Sequence, residues 1–277
     1  MKVKIISDSS ANLRSLEGVD YTSVPLRIVT DEKEYVDDDT LNIVNMVEEL
    51  STYKGRSGTS CPGVGDWLEA FGDADEIYCV TISSNLSGSY NAVMTAKKQY
   101  EEEHPNKKVY VVDSLSAGPE MKLIIEKLKE YVLDGESFES VCKKIEEYRE
   151  KHTALIFCLE SLKNLANNGR VNKAVAAISG IIGIRVVGDA SEEGQIRPVD
   201  KARGTKKAIK SIINIMKKRG YKGDTVIIDH CLNIEAAKAL KEEIISEFKE
   251  ALVRIEETTG LCCFYAEKGG LMIGYEV

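Results

Sequence analysis

Three hydroxyl-rich stretches stand out in the 277-residue chain: Ser7–Ser10, Thr59 with Ser60, and Ser83–Ser89 within "TISSNLSGSYNAV" at 81–93. Each lies where a short β-rich run ends or a helical pattern begins. A serine at such a junction can cap a helix by accepting from an orphan N–H of its first turn. Several small donors at the positive end of a helix can also seat an anion. Hydroxyls and free N–H groups, without a neighbouring Lys, Arg or metal, suit one carboxylate better than a polyphosphate. Such a seat orients a ligand and does little chemistry.

Other chemistries are poorly supplied. "SGTSCPGVGDW" at 57–67 has Gly65-Asp66-Trp67 where a phosphate loop needs Gly-Lys-Ser/Thr, and an acid there repels phosphate. The first strand-to-helix turn, "SDSSAN", has no glycine triplet, which argues against a dinucleotide fold. "DDDT" at 37–40 reads as a set of carboxylates capping a helix start, not as a magnesium site. Among the three histidines, His104 and His152 sit on polar helix ends and only His230 ends a buried run, with no GxSxG elbow. A small hydrolase using Ser87 or Cys61 near His230 is the enzymatic alternative to a binding protein. The seven cysteines form no CxxC pair and read as reduced thiols, with Cys79 and Cys158 inside strands and Cys262–Cys263 a poor metal site. No metal or cofactor is expected.

The elements that position these residues follow from periodicity. Short β-rich runs at 3–7, 24–29, 77–82, 109–112, 154–159, 184–187, 226–229, 251–256 and 271–275 predict strands. Helical patterns cover 40–52, 64–71, 88–103, 118–133, 137–151, 172–180, 204–219 and 233–248. This alternation predicts α/β architecture with parallel strands covered by helices, in a run too long for one compact sheet. A boundary after the charged helix ending near Lys151 divides the chain into 1–152 and 153–277. "GDASEEGQIRPVDKARG" at 188–204 then reads as a β-turn-β excursion, so the second sheet is expected to be mixed.

The net charge of −8 is spread over helical faces with no basic stripe, which excludes nucleic acid as a partner class. No apolar stretch approaches the roughly 20 residues that span a bilayer, and the N-terminus lacks the features of a signal peptide. The expectation is a cytoplasmic monomer.

Seven stretches in order resemble the DegV family of bacterial fatty-acid-binding proteins. They are "SDSSANL" (7–13), "VPLRIVTDEKEYVDD" (24–38), "GTSCPG" (58–63), "ISSNLSGSY" (82–90), "VVDSLSAG" (111–118), "LESLKNLANNGRVNKAVAAISGIIGIRVV" (159–187) and "GQIRPVDKARGTKKA" (194–208). The resemblance implies two α/β domains with a lipid tunnel, a long-chain fatty acid as ligand, and a separate fatty acid kinase to which the acid is presented. It also implies that Thr59 and Ser87 bind the carboxylate, with Ser60, Cys61 and Ala266 as possible lining, and that Arg170 lies on the surface and meets the kinase. The chain departs from the family pattern where Cys61 stands for its glutamine, Ala266 for a histidine that assists the carboxylate, and Lys268-Gly269-Gly270 for Gly-Pro-Gly.

Overall fold

A computed structural model describes residues 2–172 and 183–277. The chain opens with β1 (Val3–Asp8), a single 3₁₀ turn (Ser9–Ala11) and β2 (Asp20–Val24). Pro25 cannot donate to a ladder and ends that strand. The one strand expected over 24–29 is therefore two. The second, β3 (Arg27–Thr30), joins a separate antiparallel sheet with β4 (Glu34–Val36) and β5 (Ser57–Ser60), in the order β4-β3-β5. Helix α1 (Ile43–Thr52) connects β4 to β5, and α2 (Val64–Phe71) follows.

The rest of this half is β6 (Glu76–Thr81), α3 (Ser89–Glu103), β7 (Lys108–Asp113), α4 (Pro119–Leu133) and α5 (Phe138–His152). Strands pair in parallel in the order β2-β1-β6-β7. Every residue of β6 is buried, as expected for a central parallel strand covered on both faces.

The second half comprises β8 (Thr153–Leu159), α6 (Lys163–Asn167), β9 (Ile184–Ala190), β10 (Ile196–Arg203), α7 (Thr205–Lys218) and β11 (Thr225–His230). It ends with α8 (Ile234–Glu247), β12 (Leu252–Glu257), α9 (Gly260–Ala266) and β13 (Leu271–Glu276). Its six strands run in the order β10-β9-β8-β13-β11-β12, antiparallel except for β11 with β12. The mixed sheet and the 188–204 excursion are as expected. The helix expected over 172–180 lies outside the described residues.

Helix α4 lies between the two large sheets. Its first turns, "PEMKLII", are buried all round, the pattern of a helix with protein on every side. It packs against β13 so closely that a Cβ on Gly274 would come within 2.5 Å of the α4 backbone. Lys122 of α4 is almost fully buried. It donates to Asp229 at 3.3 Å and to Glu256 at 2.5 Å, while Asn12 donates to the other Asp229 oxygen at 2.6 Å. These bonds join the first half to β11 and β12.

Cys231, just beyond β11, and Cys263 of α9 form a disulfide, with Cα atoms 5.2 Å apart. This corrects the expectation that all seven cysteines are thiols. The antiparallel pairing of β11 with β13 brings the end of β11 beside the helix that precedes β13, a juxtaposition that a separation of 32 residues does not betray. Cys61, Cys79, Cys142, Cys158 and Cys262 are free.

Candidate functional site

The first hydroxyl stretch is a clamp inside the protein and not a ligand seat. Asp8 is fully buried, and its Oδ1 accepts from the Ser10 N–H at 3.2 Å and from the Ser10 hydroxyl. Its Oδ2 accepts from the Ile82 N–H at 3.0 Å and from the Ser89 hydroxyl at 2.6 Å. Burial pushes this carboxyl above the usual range although all four donors oppose the shift. Ser7 bonds the Tyr21 hydroxyl at 2.6 Å, and Ser9 accepts from the Leu26 N–H at 3.0 Å. The stretch is consumed internally, and what it holds is the Ser83–Ser89 turn.

That turn meets β5 and α9 at one corner. Thr59 is in β5 and so does not begin a helix, as a capping role would require. Its hydroxyl bonds the Tyr265 hydroxyl of α9 at 2.7 Å. Cys61 reaches the turn from the end of β5, its Sγ 3.1 Å from where a Cβ on Gly88 would sit. Arg170, expected on the surface, is half-buried. Its Nε donates to the Leu86 carbonyl at 3.0 Å, and its guanidinium lies 5.9 Å from the Tyr265 ring centre. Ser87 sits between these two contacts, and its Oγ accepts from the Ser89 N–H at 3.3 Å, so it does help to cap α3. Strand alternation turns Ser60 outward into solvent, away from the corner.

A mostly apolar cavity opens from this corner between the two halves. Leu155, Phe157 and Leu159, alternate residues of β8, form one wall. Ile82, Leu86 and Ala117 from turns of the first half face them. Arg170, Tyr265 and Ala266 line the end where Thr59 stands behind Tyr265. Ala266 contributes only a methyl group, whereas Tyr265 contributes a hydroxyl. Burial pushes that hydroxyl's pKa up, so it stays protonated and able to donate. Tyr265 belongs to none of the hydroxyl-rich stretches; its one mark in the sequence is a phenol one position before Ala266 in "CFYAEKGG".

The remaining candidates are engaged elsewhere. Asp37 accepts from the Gly260 N–H at 2.7 Å and the Leu261 N–H at 2.9 Å. The "DDDT" stretch therefore caps α9, 223 residues away, and the cap of α1 is Asn42. His230 is buried, its Nδ1 accepts from the Asn233 N–H at 3.3 Å, and burial pushes its pKa down. Among the described residues, His230 neither lines the cavity nor bonds Ser87 or Cys61, so it forms no nucleophile–base pair with either. No helix among the described residues is long and apolar enough to cross a membrane.

Comparison with known proteins agrees with the geometry. Residues 2–276 match the family model described as "Uncharacterised protein, DegV family". A DegV domain-containing protein of Streptococcus gordonii is 40% identical over 281 residues, covering 100% of both chains. A DegV family protein from Eubacterium eligens, solved loaded with heptadecanoic acid, is 41% identical with a TM-score of 0.97, covering 99% of each chain. The Fatty Acid Kinase (Fak) B3 protein of Streptococcus pneumoniae, solved loaded with linoleic acid, is 41% identical with a TM-score of 0.97, covering 100% of each. The chain belongs to the DegV family.

Proposed function

We propose that this protein binds one long-chain fatty acid and presents its carboxylate to a separate fatty acid kinase, with no turnover of its own. The tail occupies the cavity along β8, and the carboxylate sits at the corner of Thr59, Ser87 and Tyr265. The observation that carries this reading is the polarity of the cavity: leucine and phenylalanine walls over its length, and a hydroxyl pair at one end. Two relatives of 41% identity over essentially their whole length were solved with a fatty acid bound, and one of them is named as a fatty acid kinase protein. In this reading residues 1–152 and 153–277 act as two domains that close on the ligand.

The energetics favour tail over head. Each buried methylene contributes about 0.8 kcal/mol, so a long tail supplies most of the affinity. A hydrogen bond to the charged carboxylate adds about 1.5–3 kcal/mol. Tyr265 supplies a donor at the end where Ala266 supplies none. Arg170, at the mouth beside Leu86 and Tyr265, is the residue we assign to kinase docking; Arg170→Ala is expected to reduce acyl-phosphate formation with the cognate kinase.

Protein purified from bacteria, extracted and analysed by gas chromatography, tests the reading. The expected result is a long-chain acid in near-stoichiometric amount, and a rise in melting temperature when palmitate or oleate is added to stripped protein. Repeated recovery of none, with no thermal response to either acid, overturns it.

A further inference from the structure

The β8 register locates the end of the cavity that lies away from the Thr59 corner. Leu159 lies opposite Val186 and leads into α6, which carries Leu165 toward Arg170, so the Leu159 end is the carboxylate corner. Leu155 lies four residues earlier on the same face, opposite Gly274 of β13, about 13 Å away along the strand. There Leu155 and Ala190 line the cavity on one side. On their other side they line a separate crevice with Glu120, Arg149, Arg197 and Arg219.

What stands behind this partition is charged and fixed. Arg197 and Arg219 of the crevice donate, at 2.7 Å from Nε and at 2.6 Å, to buried Asp189, which lines the cavity beside Ala190. Glu120 accepts from the Thr153 hydroxyl at 2.8 Å and from that of Ser116, another wall residue of the cavity. The β9–β10 hairpin that carries Ala190 is seated firmly. Its Gly194 has a positive φ of +72°, and a Cβ there would meet the Leu115 backbone at 2.7 Å. Asn85 also donates to the Glu193 carbonyl at 2.7 Å.

We infer that Leu155 and Ala190 are the floor that sets acyl-chain length, a specificity role that rests on the function proposed above. A tail gains about fourfold in affinity per methylene while it buries against the β8 wall. A methylene forced past the floor would enter a polar crevice or disturb the Asp189 pairs, and gains nothing. Affinity should therefore rise with chain length and then level off or fall.

The test is a set of dissociation constants for saturated acids from 12 to 22 carbons, measured on wild type, Leu155→Ala and Ala190→Leu. Leu155→Ala removes the partition and should improve the acid of 20 or 22 carbons over palmitate by roughly tenfold relative to wild type. Ala190→Leu raises the floor and should weaken stearate against myristate by a similar factor. If Leu155→Ala fails to fold, Ala190→Leu, at a half-buried hairpin position, decides the matter alone. A length profile unchanged in the folded variants overturns the floor and leaves the proposed function standing, because wild type still binds. Wild type that binds no acid of any length overturns both.

Discussion

Where the four-stranded parallel sheet touches the cavity it does so with turns beyond its strand ends, Ile82 and Leu86 after β6 and Ser116 and Ala117 after β7. The six-stranded sheet presents a strand face instead, through Leu155, Phe157 and Leu159. The difference follows from the ladders. Parallel strands point their carboxyl ends and the following helix starts the same way, so polar groups collect at one edge. A strand in an antiparallel pairing alternates its side chains, so a continuous apolar wall needs only every second residue. In the reading developed above, one half handles the charged head and the other buries the tail.

The largest expected effect comes from separating the halves. Lys122→Met leaves Asp229 buried without its cation, and should cost about 3–5 kcal/mol in urea unfolding. A loss below about 1 kcal/mol would mean that the apolar face of α4 alone holds the sheets together.

Next comes the polar edge. Asp8→Ala strands the buried N–H groups of Ser10 and Ile82, at about 1–3 kcal/mol each, and should lower both melting temperature and palmitate affinity. Loss of stability with palmitate affinity intact would show that the clamp does not position the Ser87 turn.

The junction should also titrate unusually. Burial is the main force raising Asp229 from 3.8 to about 6. Its proton is held more tightly in the folded state than in the unfolded one. The stabilisation from this group is therefore fully present below about pH 4 and lost as pH rises through about 6. Carbon-13 NMR of the labelled carboxyl should place its midpoint near 6; a midpoint near 4 would contradict the burial argument.

The sequence announced these two halves unequally. Long amphipathic helices and apolar runs such as "IYCVT" carry their own periodicity, so the central strands and long helices were readable from it. Strand β5, "SGTS", has no apolar alternation and is held by pairing with β3. Helix α9 has only seven residues, begins with glycine, and is capped by Asp37 from far along the chain. Both lie at the corner to which we assign the carboxylate, so periodicity does not mark that corner. The same holds for Asp8, whose partners Ile82 and Ser89 are distant in sequence. Hydroxyl content drew attention to Ser7–Ser10 but could not tell an internal clamp from a ligand seat.

The central claim is that the hydroxyls at the corner grip a carboxylate while the β8 wall holds the tail. Palmitate titration of the Thr59→Ala/Ser87→Ala double variant tests it most directly. The dissociation constant should rise by roughly tenfold or more, about 1.4 kcal/mol, and the thermal stabilisation by palmitate should shrink with it. A folded double variant that binds palmitate with the wild-type constant would contradict the assignment.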